Sequence, residues 1–172
     1  RNRETGAMAV TSVNTEDYKV ALTVNVYEYT DVESYLDVFK KAKATFFISE
    51  DFQETCPEKV VKILESGHSI GILKKDVKAS KNELYDRLAI RIERMARITD
   101  KNIDLIRIDE EDCEESVIKN IYSIGLLPVQ WSEDDADFSQ GDIVLIKDIR
   151  TAEEAIKKSA ADGLEAVTVD EL

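Results

Sequence analysis

The sequence alternates between strand-type and helix-type segments along almost its whole length. Between the strand-type segments, apolar residues recur every three to four positions, as on one face of an amphipathic helix. The strand-type segments are 18–26, 44–48, 68–73, 103–108, 126–131, 142–147 and 166–169. This alternation predicts a parallel sheet covered by helices. The periodicity alone fits an open doubly wound sheet and a closed barrel equally well.

Local signals mark several helix boundaries. Ser80 with Glu83 three residues later predicts a capping box at the start of a long helix. Pro57 suits the first turn of an earlier helix, and Gly67 suits its end. Residues 1–16 are polar and lack periodicity, so we expect a flexible lead-in before a single domain over 17–172.

Composition excludes several classes of partner. The chain has 172 residues, 43% of them hydrophobic, which is enough for one domain with a core. A formal net charge of -13 argues against nucleic acid as a partner, because phosphate binding needs clustered Lys and Arg. No apolar run approaches the ~20 residues that span a bilayer. The first residue is Arg1, which is compatible with an upstream signal or anchor.

The two cysteines, Cys56 and Cys113, lie far apart and lack a Cys-x-x-Cys spacing. We expect two free thiols, and sequence alone leaves a disulfide between them open.

Several segments resemble the polysaccharide deacetylase family (carbohydrate esterase family 4). Lys-Ala-Thr-Phe-Phe-Ile at 43–48 and Gly-His-Ser-Ile-Gly at 67–71 are the most specific of these. Segments 127–132, 144–148 and 166–172 are also similar, so the resemblance runs from about Val13 to the C-terminus. It implies a distorted, partly open (β/α)7 barrel. Residues 13–17 are weakly similar to a sporulation-associated branch of the family.

The family's enzymes hydrolyse N-acetyl groups on sugars with a divalent metal held by two histidines and an aspartate. Their Thr-Phe-Asp-Asp-Gly motif corresponds to Thr-Val-Asn-Val-Tyr at 23–27. Asn25 thus replaces the aspartate that acts as general base, Val26 replaces the aspartate ligand, and Tyr27 replaces the glycine. Leu73 and Val77 stand where the resemblance places the two histidine ligands. A catalytic metal needs roughly three N, O or S donors, so we expect no metal cofactor.

The other motif positions are partly kept. His68 corresponds to a histidine that does not bind the metal, and we expect a structural role for it. Lys147 stands in place of the histidine that acts as general acid, and a lysine could do so only with a strongly depressed pKa. Arg107 remains from the arginine motif, and Asp134 and Asp137 keep the acidic motif, so the resemblance implies an Arg107–Asp134 ion pair.

We hypothesise that Lys147 replaces the charge of the lost metal. Carboxylates buried without a counter-charge would be costly, and Asp134, Asp137 and Asp148 are expected near the mouth of the barrel. Lys147 would pair with Asp134 or Asp148; the alternative is that it points into solvent. The candidate cleft residues are Arg107, Asp134, Asp137, Asp148 and Tyr27.

One architectural departure is expected. Only Ser139, Gln140 and Gly141 separate the acidic motif from the next strand, where the family has a helix. Three residues are too few for a useful helix, so the barrel wall should be open or thin on that side.

These expectations favour a protein of the deacetylase type that has lost catalysis. It would have a glycan-binding or scaffold role in the cell envelope or in sporulation, outside the cytoplasm, with a glycan or an envelope protein as partner. This interpretation rests on the resemblance. Two alternatives stay open, namely a metal-free carbohydrate hydrolase that uses acidic cleft residues and a protein-interaction module.

Overall fold

The computed structural model describes residues 8–75, 80–109, 114–134 and 137–172, with only the backbone of Lys81, Glu133 and Asp134. The strands are β1 (Lys19–Val26), β2 (Thr45–Ile48), β3 (Ser69–Lys74), β4 (Leu105–Ile108), β5 (Leu127–Pro128), β6 (Glu133–Asp134), β7 (Ile143–Ile146) and β8 (Glu165–Val167). They form one sheet in the order β5-β4-β3-β2-β1-β7-β6, with β8 beside the start of β1. The pairings between these strands are parallel.

Helices provide most of the crossover connections that parallel strands require. They are α1 (Val32–Val38), α2 (Glu50–Thr55), α3 (Pro57–Glu65), α4 (Lys81–Thr99), α5 (Glu115–Ser123) and α6 (Ile149–Ala161). The curled sheet with helices outside confirms the predicted partly open (β/α) barrel and decides against a flat doubly wound sheet. No helix among the described residues is long and apolar enough to cross a bilayer.

The predicted boundaries agree with the structure to within a few residues. The Ser80–Glu83 capping box is present at the start of α4, with Glu83 N–H 3.4 Å from Ser80 Oγ. Pro57 opens α3 as expected. Two short elements were not predicted. The two-residue strand β6 is too short to leave a periodic signal, and α2 begins at a Ser49 cap in a segment without apolar periodicity.

The sheet has a large apolar outer face and a small inner face. Successive side chains of a strand point to opposite faces. On β1, the side chains that face the helices are Val20, Leu22, Val24 and Val26. Those that face the barrel interior are Ala21, Thr23 and Asn25. The outer face packs on the helices as one cluster. Among the described residues, the buried inner cluster is smaller and consists of Ala21, Phe47, Leu73, Leu105, Val129 and Ile143.

The lead-in is bonded to the barrel from Val10 onward. Val10 N–H donates to Pro128 O at 2.9 Å, and Val13 N–H donates to Gly141 O at 2.7 Å. Gly141 has a φ of 82°, and a Cβ there would lie 2.1 Å from Val13 O. Residues 10–13 therefore link the end of β5 to the start of β7. The sequence did not predict these bonds within the expected flexible segment, and residues 1–7 lie outside the described part.

The side of the barrel that was expected to lack a helix does lack one. A turn through Ser139 and Gly141 leads directly from Phe138 into β7. Residues 10–13 lie against this turn, so the wall there is thin and is covered by the lead-in.

Cys56 forms no disulfide within the described residues. Cys113 lies outside them, so the expectation of two free thiols stays a prediction.

Candidate functional site

The candidate site lies where the parallel strands end. Their carboxyl ends meet at one edge of the barrel, the usual position of active sites in (β/α) folds. Asn25 lies near the end of β1, Arg107 lies on β4, and Lys147 follows β7. The structure brings Asn25 and Arg107 into direct contact, with Tyr27 above them.

Arg107 is the central group of this edge. Its side chain is fully buried inside the barrel. Nη1 donates to Thr23 Oγ1 at 2.9 Å and to Asn25 Oδ1 at 3.0 Å, while Nε and Nη2 each donate at 3.1 Å to the carbonyls of Val129 and Gln130. All four acceptors are neutral oxygens.

Two aromatic rings flank the Arg107 guanidinium. Its Cζ lies 4.1 Å from the centroid of the Phe47 ring and 5.2 Å from that of Trp131. Burial lowers the pKa of Arg107 to about 9, so the group is still cationic at neutral pH. The rings and the carbonyl dipoles stabilise a positive charge inside the barrel.

The geometry defines what Asn25 can do. Its amide oxygen accepts a hydrogen bond from Arg107. An amide is not basic enough to take up a proton at neutral pH. At the position that the resemblance assigns to the general base, the chain therefore has a hydrogen-bond acceptor for Arg107 and no base.

Tyr27 spans the mouth of the barrel. Its hydroxyl donates to Asp109 Oδ1 at 3.0 Å, just after β4. Its ring stacks on Tyr29 with centroids 5.5 Å apart, and Lys75 Nζ lies 4.9 Å from the Tyr27 centroid. Burial and the neighbouring Asp109 raise the pKa of Tyr27 to about 12. The hydroxyl is therefore a protonated donor at neutral pH.

The described donor set does not fit a divalent metal. Val26 is fully buried in the helix-facing cluster, and Leu73 lies in the inner cluster. Neither side chain has an atom that could bind a metal, and the Val26 side chain packs toward the helices and not into the barrel. Val77 lies outside the described residues. Within the described part of the chain, no three His, Cys, Asp or Glu side chains are grouped so that they could hold a metal ion.

His68 lies at the opposite edge, immediately before β3. Its Nδ1 accepts from the Ala44 N–H at 3.2 Å, and its ring contacts those of Phe39 and Phe46. Burial lowers the pKa of His68, which favours the neutral ring that this hydrogen bond requires. These contacts fit the expected structural role.

The acidic residues are not arranged as expected. Asp137 and Asp148 are exposed, so the premise that they would be buried without a counter-charge is wrong for both. Asp148 caps α6 by accepting from Thr151 N–H at 2.8 Å, and this bond lowers the pKa of Asp148. The Asp134 side chain lies outside what the structure describes, so its predicted pairs with Arg107 and Lys147 stay predictions.

Lys147 has an exposed side chain beside Asp148. Both residues line a cleft of about 350 Å³, which we call the β1–β7 cleft; Asn25, Tyr27, Tyr35 and Leu145 also line it. A second cleft of about 340 Å³, the β2–β3 cleft, is lined by Tyr27, Ser49, Leu73, Lys75 and Arg91, among others.

Sequence reasoning missed Arg91, which is 4% exposed. Its Nη1 donates to Leu73 O at 2.7 Å, its Nη2 donates to Ile48 O, and its Nε donates to Gln53 Oε1 at 3.1 Å. Arg91 therefore joins the ends of β2 and β3. A signal was present, because Arg91 stands three residues after Leu88 and four before Met95 on the buried stripe of α4.

Comparison with known proteins agrees with this fold. The family profile described as polysaccharide deacetylase matches residues 12–127. The chain belongs to the polysaccharide deacetylase family. No curated protein matches the chain.

Solved structures share the whole fold at low sequence identity. A family 4 carbohydrate esterase from Bacillus anthracis is 20% identical, with a TM-score of 0.87 over 98% of this chain and 88% of that chain. A family 4 pseudoenzyme from the same organism is 18% identical, with a TM-score of 0.84 over 96% and 69%. The family 4 esterase PdaA from Bacillus subtilis is 23% identical, with a TM-score of 0.81 over 95% and 84%. At these identities the similarity shows the fold, and the chemistry has to be argued from this chain's own residues.

Proposed function

We propose that this protein is a non-catalytic member of its family that binds a glycan at the carboxyl ends of its strands. The observation that carries the proposal is the pairing of Arg107 with Asn25. The amide of Asn25 stands where hydrolysis would need a carboxylate base, and it accepts a hydrogen bond from the buried Arg107 guanidinium.

Each chemical requirement of amide hydrolysis lacks a side chain suited to it. Asn25 cannot remove a proton from water. Val26 and Leu73 cannot hold or polarise a metal-bound water, because their side chains have no donor atoms. Lys147 has an exposed side chain at the position where the family's general acid would be a histidine.

The glycan part of the proposal rests on the mouth of the barrel and on the family. The Tyr27 and Tyr29 rings lie beside an open cleft that also offers amide and charged groups. Flat rings with a few polar groups suit a sugar, which has apolar ring faces and hydroxyl edges. Structurally similar proteins include a peptidoglycan N-acetylglucosamine deacetylase and the peptidoglycan deacetylase PdaC from Bacillus subtilis. We therefore propose a location outside the cytoplasm, at the cell envelope.

The alternatives gain no support of their own. A metal-free hydrolase would need a carboxylic acid with a raised pKa, but the helix cap lowers the pKa of Asp148. A role as a scaffold for an envelope protein or in sporulation stays a prediction from the resemblance.

The test combines activity and binding. The purified protein is incubated with acetylated chitooligosaccharides and with peptidoglycan, with added Zn²⁺ or Co²⁺, and acetate release is measured beside an active family esterase. We expect no acetate and no change in melting temperature with metal. Amide NMR titrations with the same oligosaccharides should shift signals from Asn25, Tyr27 and Tyr29. Metal-dependent acetate release would refute the loss of catalysis, and the absence of any glycan-induced shift would refute the binding role.

A further inference from the structure

Tyr27 crosses the mouth of the barrel from one side to the other. It follows β1, and its hydroxyl is bonded to Asp109 after β4, although β2 and β3 stand between these strands in the sheet. The side chain therefore lies over the ends of the intervening strands. A glycine, which the resemblance places at this position, would leave the same space open.

Neighbouring groups hold the Tyr27 side chain in position. Tyr29 stacks on the Tyr27 ring with an interplanar angle of 10°. Lys75 Nζ lies over the Tyr27 ring and also lies 3.9 Å from Asp109 Oδ2. Ring stacking, a cation over the ring and a hydrogen bond at its tip restrict Tyr27 from three directions. We call Tyr27 and Tyr29 the tyrosine wall.

The tyrosine wall is shared by both clefts. Tyr27 and Tyr29 line the β1–β7 cleft of about 350 Å³ and the β2–β3 cleft of about 340 Å³. Each volume is at the low end of the roughly 300–1,000 Å³ that ligand pockets occupy. A polymer laid across the strand ends would have to pass through the wall.

The two clefts differ in chemistry. Charged residues dominate the lining of the β2–β3 cleft, including Glu50, Asp51, Lys75 and Arg91. The lining of the β1–β7 cleft combines Tyr35 and Leu145 with the Asn25 amide, and it has fewer charged residues, namely Asp31, Lys147 and Asp148. The second combination suits one uncharged sugar ring, because apolar surface contacts the ring face and an amide can bond a hydroxyl or acetamido group.

On the basis of the proposed glycan binding, we propose that the β1–β7 cleft takes the terminal sugar ring of a glycan and that the tyrosine wall stops the chain there. The protein would then recognise chain ends and not the interior of a polysaccharide. Sugar length beyond the ring in the cleft would contribute little to binding.

The first test is a length series on the intact chain. Affinities for N-acetylglucosamine and for its di- and tetrasaccharide are measured by amide NMR titration. We expect the three affinities to agree within about threefold. A rise of about tenfold or more from the monosaccharide to the tetrasaccharide would overturn the end-recognition proposal while leaving glycan binding intact.

The second test removes Tyr27, the residue of the tyrosine wall that crosses the mouth of the barrel. Tyr27→Gly joins the two clefts, so the tetrasaccharide should bind at least about tenfold more tightly than the monosaccharide. Tyr27→Phe is the matched control, since it loses the bond to Asp109 and keeps the ring, and it should retain the independence of length. An unchanged length series in Tyr27→Gly would overturn the role of the wall.

A third measurement does not depend on a variant's folding. Saturation-transfer NMR on the unmodified protein with the tetrasaccharide should label one terminal ring far more strongly than the internal rings. Equal labelling along the chain would overturn the proposal. If no sugar of any length binds, both the proposed function and the end-recognition proposal are wrong. That result is distinct from binding that grows with length.

Discussion

Two arginines are buried in the described part of the chain, one on each face of the sheet, and the two faces accommodate them differently. Arg91 lies between the sheet and α4, with Glu50, Asp51 and Glu54 near enough to favour its charge, although burial still lowers its pKa to about 10. Arg107 lies inside the barrel, bonded to neutral oxygens and flanked by Phe47 and Trp131.

This difference in surroundings indicates that Arg91 has a structural role and that Arg107 belongs to the candidate site. Arg91 bonds to strand-end carbonyls from the edge of a large apolar layer, where nearby carboxylates favour its charge. Arg107 places a positive charge under the mouth of the barrel, near the position where the resemblance puts a metal. The interior thus has a cation at this edge whose hydrogen-bond acceptors are oxygens of the protein itself.

The largest effect is expected from removing the interior cation. Arg107→Met leaves Thr23, Asn25 and two buried carbonyls without their donor, and each buried acceptor left unpaired costs about 1–3 kcal/mol. We expect the free energy of unfolding to fall by about 3 kcal/mol or more, measured by urea denaturation. A loss below about 1 kcal/mol would show that water reaches these acceptors and that the two faces do not differ as described.

The same change on the outer face should cost less. Arg91→Met unpairs Gln53 and the carbonyls of Ile48 and Leu73, and water at the edge of the β2–β3 cleft can replace some of these bonds. We expect a loss of about 2 kcal/mol in the same assay. Arg94→Met is the matched control on α4, because Arg94 forms an exposed ion pair with Glu54, and it should change stability by less than about 0.5 kcal/mol. Equal losses of unfolding free energy in Arg91→Met and Arg107→Met would show that the two faces do not differ in how they accommodate an arginine.

His68 tests the outer layer through pH. Its folded-state pKa is lowered by burial, so the unfolded chain binds the proton more tightly. The stability contributed by neutral His68 is present above its unfolded pKa and is lost as pH falls through that value toward the folded pKa. His68→Gln should therefore lose less stability than the unmodified protein between about pH 7.5 and pH 5. The free energy of unfolding is measured by urea denaturation at both pH values for both proteins. Because their carboxylates are the same, an equal loss of stability in the two proteins would contradict the prediction.

The smallest effect concerns the mouth of the barrel. Asp109→Asn removes the negative charge that helps to raise the pKa of Tyr27, while the Asn amide oxygen can still accept from the hydroxyl, so this pKa should fall from about 12 toward its usual value. A raised folded pKa means that the related stability is present below the unfolded pKa of 10.0 and is lost as pH rises through about 12. The measurement is a pH titration of ¹³C-labelled tyrosine by NMR. An unchanged Tyr27 titration would show that burial alone accounts for the shift.

Much of the fold could be predicted from local pattern. The strand and helix alternation, the Ser80–Glu83 capping box and Pro57 at the start of α3 are local signals, and the structure has all of them. The α2 helix and the pairing of residues 10–13 were not predicted. The first has no apolar periodicity, and the second depends on carbonyls and amides of β5 and β7 that are distant in sequence.

The candidate site was predicted only in part. Position matching to a family selected Asn25, Arg107 and Tyr27, and the structure brings them together. It did not foresee that Arg107 bonds Asn25, that Asp148 caps a helix in solvent, or that Arg91 is buried. Those outcomes depend on which donors and acceptors meet across strands, and spacing along the chain does not encode this.

The sequence by itself determined most of the strands and helices, β6 and α2 excepted, and it determined the residue types at the strand ends, because periodicity and capping act within a few residues. Only the tertiary structure decided that Tyr27 reaches Asp109 across the mouth and that one guanidinium is satisfied by four neutral oxygens. Such contacts join residues more than twenty positions apart, where burial and hydrogen-bond geometry select the partner.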